Sequence, residues 1–351
     1  MRKTALAADR RSFSTTAAIG VMICLTGNLV PTPVPIAFQS NLSLARVAAD
    51  AQKHRGNMTT STTAMPKIMI LGGTTGLLGQ ALVHAATIAR YNVVASARGD
   101  FVPLNAESVS AYIDRHSPDI ICNTIAYAQV DKAEDEPEEA LNLNRLFPRV
   151  LGRIVKERPN IRLLHYSTDF VFNGRKKEPY VESDATDPLN VYGRSKLEGE
   201  QALLDLQLEN LCIIRTAWLF GPGRKNFITT ILDLCQAEKL LNVVHDQIGS
   251  PTYTVDLASY SLQLLEKGGK GIFHVVNSGQ ASWCELASEA LRLTQLECSI
   301  TPIPSEKYPM KATRPPYSVL DCTRFTETTG ITPRSWAQAL ADYIYTASKN
   351  Q

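Results

Sequence analysis

The run Lys67-Ile68-Met69-Ile70-Leu71 passes directly into Gly72-Gly73-Thr74-Thr75-Gly76-Leu77-Leu78-Gly79, and a helical pattern follows over residues 80–90. That order leaves few architectures open. Five mostly apolar residues before a glycine turn read as a buried strand. Glycines at 73, 76 and 79 let the backbone and a helix N-terminus close around a pyrophosphate, because the first amides of a helix are unpaired donors at its positive end. Further strand patterns follow at residues 92–97, 119–123, 163–167 and 212–216, with helical stretches between them. The alternation predicts an α/β chain. A Rossmann-like, doubly wound parallel sheet is expected over residues 66–220, rejoined by a strand near residues 271–277. A smaller α/β substrate-binding domain is expected over residues 221–347.

Composition narrows the function classes. The chain has 351 residues, 44% apolar and 20% charged, with a net charge of +2. These are the proportions of a globular protein with a large core. The charge is unevenly spread: residues 1–64 hold seven Lys/Arg and two Asp, so the body beyond them is slightly acidic. Such a body carries no footprint for nucleic acid. Seven scattered cysteines without a C-x-x-C pair suggest reduced thiols and argue against a disulfide frame. With six histidines lacking ligand spacing, no structural metal is expected.

The leader, residues 1–64, has Arg10-Arg11 ahead of an uncharged run at residues 14–30, then Pro31, Pro33 and Pro35. The run is shorter than the ~20 apolar residues that span a bilayer. It resembles a signal-peptide core preceded by a twin-arginine pair, with a small-residue region at Ala45-Arg46-Val47-Ala48. The favoured reading is a disordered extension or an upstream start ahead of Met58 or Met65, with the body in the cytoplasm. Export through the leader is the alternative.

The candidate chemistry lies where Leu163-Leu164-His165-Tyr166-Ser167-Thr168-Asp169 ends a strand and Tyr192-Gly193-Arg194-Ser195-Lys196 opens a helix. One helical turn places Tyr192 and Lys196 on one face. A phenol ionises near pH ~10, so a neighbouring ammonium makes it a usable acid at neutral pH. Thr168, at the strand end, is placed to hydrogen-bond the carbonyl that Tyr192 protonates. Taken alone, Y-x-x-x-K is more often a solvated Tyr beside a surface Lys. At the end of the second strand, where an acid would hold a ribose hydroxyl, stand Ser96, Ala97 and Arg98. An arginine there suits a 2′-phosphate and favours NADPH over NADH, with a solvated Arg98 as the structural alternative.

Residues 66 to about 345 resemble dTDP-4-dehydrorhamnose reductase, an extended short-chain dehydrogenase. The matching segments are GGTTGLLG, NTIAYAQVDKAEDEPE, HYSTDFVFNG, PLNVYGRSKLEGE, RTAWLFG, DQIGSPTYT and RPPYSVLD, in the family's order. The resemblance implies NAD(P)H-dependent reduction of dTDP-4-dehydro-L-rhamnose to dTDP-L-rhamnose, with Thr168, Tyr192 and Lys196 catalytic. It implies cofactor contacts at Gly76-Leu77-Leu78, Asp100-Phe101 and Ala126-Tyr127-Ala128, and substrate contacts at Asp169 and Trp218. Trp218 would offer an indole face to the sugar or thymine. In the RPP loop the Arg314 guanidinium would bind the substrate's phosphates. Some members bind Mg²⁺ and pair as homodimers; no ligand set for the ion stands out. The chain departs from the family pattern at about Ala97 and in a shortened loop before Asp100. Two other readings remain. A nucleotide-sugar dehydratase or epimerase is one, although Phe170 after Asp169 cannot move a proton. A non-catalytic regulatory subunit of methionine adenosyltransferase is the other.

Overall fold

The computed structural model describes residues 65–308 and 310–348, together with a two-residue strand at Ile23–Cys24. The rest of the leader lies outside the described residues.

Six parallel strands form the central sheet: β1 (Lys67–Leu71), β2 (Asn92–Ala95), β3 (Ile120–Asn123), β4 (Arg162–Thr168), β5 (Leu211–Thr216) and, far along the chain, Gly271–His274. The Gly271–His274 strand lies parallel beside β5, with Ile272 opposite Ile213. Across the sheet the order is Gly271–His274, β5, β4, β3, β1, β2. Alternation along β1 explains why both faces are covered. Ile68 and Ile70 pack on helix α1 (Leu77–Ile88) and on helix Thr254–Glu266, whereas Met69 and Leu71 face α2 (Ala106–His116) and α3 (Phe147–Lys156). The chain runs from β1 outward to β2 and then back past β1 to β3. The carboxyl ends of β1 and β3 therefore border the crevice where such sheets bind ligands.

A second core gathers Phe227, Ile228 and Ile231 with Leu241, Val243, Leu286, Ala290, Leu340 and Tyr343. Its strands are Leu240–Val244 and Ser299–Ile303, which are parallel, with Ile23–Cys24 antiparallel on the other edge of Leu240–Val244. No helix among the described residues is long and apolar enough to cross a membrane.

Three expectations need correction. The helix predicted from residue 80 starts at Leu77, because Gly76 is extended and releases the chain into helix at once. Of the helical stretches expected between the strands, the acid-rich one that begins at Val130 is broken into pieces. It forms Val130–Ala133, Pro137–Leu141 and a π-helical turn at Asn142–Leu146, since Pro137 ends one segment and starts the next. The third concerns the thiols: Cys235 and Cys298 are joined in a disulfide. Cys235 closes helix Phe227–Ala237 and Cys298 precedes the strand at Ser299, so packing of the second core brings their Cα atoms to 5.5 Å. They stand 63 residues apart, so spacing gave no hint of the pairing.

Candidate active site

The glycine turn shows what it can hold. Gly76 is the N-cap of α1 and supplies no side-chain cap, which leaves the first helical amides, including those of Leu77 and Leu78, without side-chain acceptors. At Gly79 a Cβ would collide with the Gly72 carbonyl, so only glycine lets α1 start this close to the turn. Gly73 packs under Ala95 of β2. A diphosphate fits this cradle of backbone donors at a positive helix end.

Beside the turn runs the segment after β3. The Asn144 side chain from the π-helical turn accepts from the Tyr127 amide at 2.9 Å and donates to the Tyr127 carbonyl at 3.0 Å and to Ser195 Oγ at 2.9 Å. Ala126-Tyr127-Ala128 is thereby fastened to the helix that carries Tyr192 and Lys196. The Tyr127 hydroxyl donates to Glu136 at 2.7 Å. At the far end of the crevice Arg98 is exposed. Asp100 accepts from the Ala97 amide and from Tyr112, which closes its own loop. Phe101 lies in the core between the rings of Tyr112 and Phe147.

The catalytic candidates converge. Thr168 ends β4 in an extended conformation; its hydroxyl donates to Asp169 Oδ1 at 3.0 Å and accepts from the Phe170 amide at 3.2 Å, and it lies near enough to the Tyr192 phenol to lower its pKa. Tyr192 stands in the first turn of α4 (Val191–Leu204), whose N-cap, Asn190, accepts from the Gly193 amide and donates to the Thr313 carbonyl. Lys196 follows one turn later, buried, with Nζ donating to the Tyr166 carbonyl at 2.5 Å. Burial pushes the phenol up to about 12, opposed by the neighbouring Thr168 hydroxyl and reinforced by the Asp169 charge. Burial brings Lys196 down to about 8, with the Glu200 carboxylate opposing the shift. Desolvation governs the phenol more than the ammonium does.

Two neighbours escaped the sequence reading. Glu200 lies one turn beyond Lys196 and binds Arg215 of β5 at 2.7 Å, both side chains being buried; the i,i+4 spacing from Lys196 was its available signal. Ser318 donates to Asp169 Oδ2 at 2.5 Å. Nothing local in the sequence marks it. Between these bonds Asp169 is buried, and desolvation raises its carboxyl to about 7.

The remaining substrate candidates sit differently. Trp218 is half-buried with φ of 47°, and its ring stacks on Trp283 at 3.5 Å between centroids. Arg314 is nearly enclosed and forms a bidentate pair with Asp131, Nη2 to Oδ2 at 2.6 Å and Nη1 to Oδ1 at 3.0 Å. Its guanidinium thus ties the loop after residue 310 to the helical turn at Val130–Ala133. Among the described residues no group of three or more His, Cys, Asp or Glu side chains is placed to hold a metal ion.

Comparison with known proteins agrees with this architecture. The family described as RmlD substrate binding domain matches residues 66–348. A dTDP-4-keto-6-deoxy-D-glucose reductase of Streptomyces niveus is 40% identical over 77% of this chain and 94% of its own length. The crystal structure of a dTDP-4-dehydrorhamnose reductase from Clostridium acetobutylicum is 35% identical, with a TM-score of 0.76 over 80% of this chain and 99% of that one. The same enzyme from Bacillus anthracis, in complex with NADP, is 29% identical with a TM-score of 0.77, over 80% of this chain and 99% of that one. With the matched region spanning both cores and the whole crevice, this chain belongs to the RmlD substrate-binding-domain family, the family of the dTDP-4-dehydrorhamnose reductases.

Proposed function

We propose that the chain is an NADPH-dependent reductase that converts dTDP-4-dehydro-L-rhamnose to dTDP-L-rhamnose. The observation that carries this reading is that Thr168 at the end of β4 lies beside the Tyr192 phenol, with Lys196 one turn further along the helix and bonded to the same strand. When bound, the nicotinamide supplies the hydride. The protein's own groups do the rest. Thr168 holds the carbonyl oxygen in line with the phenol, and Tyr192 gives its proton to the oxygen as negative charge develops there. Lys196, fixed by the Tyr166 carbonyl, brings a positive charge beside the phenol and stabilises the phenolate left behind. The turn at Gly72–Gly79 holds the diphosphate, Ala126-Tyr127-Ala128 lines the ribose, and exposed Arg98 meets the 2′-phosphate that marks NADPH. Asp169 and Trp218 contact the sugar nucleotide.

Water elimination is poorly served by this site. Phe170 follows Asp169 and sets its ring edge-on to Tyr192, with centroids 5.9 Å apart, so an apolar edge stands where a second acid would be needed. The reaction needs a reduced nicotinamide and a nucleotide-activated sugar, and we place it in the cytoplasm for that reason. The test is oxidation of NADPH or NADH by the purified protein, with dTDP-4-dehydro-L-rhamnose and dTDP-4-keto-6-deoxy-D-glucose compared as substrates. Faster turnover of the first sugar with NADPH is expected. Preference for the second would move the assignment to the Streptomyces niveus type of reductase.

A further inference from the structure

Trp218, the indole that the proposed function sets against the sugar nucleotide, is half-buried, and the structure shows how little freedom it has. One face lies on Trp283, with centroids 3.5 Å apart and planes 3° from parallel. The other face is closed as well. A Cβ built on Gly249 would collide with Trp218 Cε2, with Nε1 at 2.6 Å and Cζ2 at 2.7 Å. An approach in the ring plane would bring Nε1 and Cζ2 nearer than Cε2, the atom between them. The Cβ would therefore stand over the ring. No Trp283 atom is among its nearest neighbours, so it stands on the side opposite Trp283.

One small element carries both jaws. Strand Ile248–Gly249 pairs antiparallel with Ala281–Ser282, so Gly249 faces Ala281 and Ser282 faces Ile248. Ser282 is the N-cap of helix Trp283–Thr294, in a capping box with Glu285, and this fixes Trp283 as the helix's first residue. Behind Trp283 packs Phe227, at 4.7 Å. Trp218 itself occupies left-handed backbone, which is strained for a bulky side chain, and its carbonyl accepts from the Thr252 amide. Strain of this kind persists where the surroundings over-determine a side chain. The same strand reaches the reaction centre: the Ile248 carbonyl accepts from the Ser318 amide, and Ser318 Oγ holds Asp169.

We infer that Trp283 and Gly249 are positioning residues that clamp the Trp218 indole, so that it meets the sugar nucleotide with its N–H edge as a hydrogen-bond donor and not with a face. This rests on the reductase reading above and corrects the expectation of a stacked sugar or thymine. Glycine at 249 is required because any side chain there would enter the indole, and an aromatic ring at 283 is required because it forms the opposite wall.

The test combines kinetics with a readout independent of turnover. Trp283→Leu and Gly249→Ala should each raise KM for the sugar nucleotide about tenfold, the scale of one lost hydrogen bond, with KM for NADPH unchanged and kcat much less affected. Trp283→Phe should recover part of the loss. Trp218→Phe keeps a ring and removes the N–H; adding Trp283→Leu to it should cost nothing more. An unchanged sugar-nucleotide KM in Trp283→Leu or Gly249→Ala, or a fully additive double variant, would overturn the clamp. The stacked pair should also give an exciton couplet in circular dichroism that Trp283→Leu abolishes while thermal unfolding stays cooperative. A wild-type protein that shows the couplet and binds dTDP-glucose, yet turns over no substrate, would sink the reductase reading and leave the clamp standing. Absence of the couplet in wild type would remove the clamp whatever the activity.

Discussion

The Lys196 ammonium is anchored to the strand that ends in Thr168: it donates to the Tyr166 carbonyl, 2.5 Å away, two residues before the threonine. The amine is thus positioned by the central sheet, and its neighbour on the helix, Tyr192, lies beside Thr168 of the same strand. Two side chains one turn apart on α4 thus face one strand, and one of them is fastened to it.

Tyr192→Phe should lower turnover by roughly 10²–10⁴-fold, the usual range for a positioned acid. The ring and its edge contact with Phe170 are kept, so the melting temperature should move little. Steady-state kinetics and thermal unfolding of the same preparation check both halves. Turnover near that of wild type would take the proton from Tyr192.

Lys196 titrates near 8, since burial lowers it. In the proposed reaction its positive charge is needed beside the phenol, so kcat/KM should fall as pH rises through about 8. The Glu200 carboxylate works against that shift. Glu200→Gln should therefore move the alkaline limb to lower pH, at some loss of stability because Arg215 is left buried without its partner. A pH–rate profile whose limb stays in place would show that Lys196 is not the group being titrated.

Asp169 gives a stability signature of opposite slope to that of a salt-bridged acid. Its folded carboxyl is raised to about 7 from an ordinary value of 3.8. Below pH 3.8 the group is protonated in both states and carries no penalty. As pH rises towards 7 the unfolded chain ionises first and gains stability relative to the fold. Asp169→Asn should accordingly raise the melting temperature relative to wild type near pH 8, and the difference should vanish near pH 4. A difference that is the same at both pH values would contradict the raised carboxyl.

Arg314 separates two roles by a pair of substitutions. As a latch to Asp131, it predicts that Arg314→Ala and Asp131→Ala each cost about 1–3 kcal/mol of unfolding free energy. As a phosphate ligand, it predicts that only the arginine change raises KM for the sugar nucleotide. Chemical denaturation and steady-state kinetics on both variants distinguish these outcomes.

What was legible in the sequence was what lies in contiguous stretches. The strand, glycine turn and helix of residues 67–88 could be read because each piece fixes the next within a few residues. Thr168 was marked by its place at the end of an apolar run, and Tyr192 with Lys196 by helical spacing. What was hidden is held by long-range partners. Ser318 reaches Asp169 across 149 residues and Arg314 reaches Asp131 across 183. Arg314 was read as a ligand for the substrate's phosphates, and its pairing with Asp131 was hidden because that acid lies in another part of the chain. Phe101 was read as a cofactor contact, yet Tyr112 and Phe147 draw its ring into the core. Gly249 and Trp283 flank Trp218 only because two short strands pair, and no periodicity announces strands of two residues.

The most direct measurement is the loss of NADPH absorbance when the purified protein meets dTDP-4-dehydro-L-rhamnose, run beside Tyr192→Phe under the same conditions. Rapid, protein-dependent oxidation that yields dTDP-L-rhamnose and falls at least a hundredfold in the variant is the predicted result. No oxidation by folded wild-type protein, or equal rates in the two, would contradict the account.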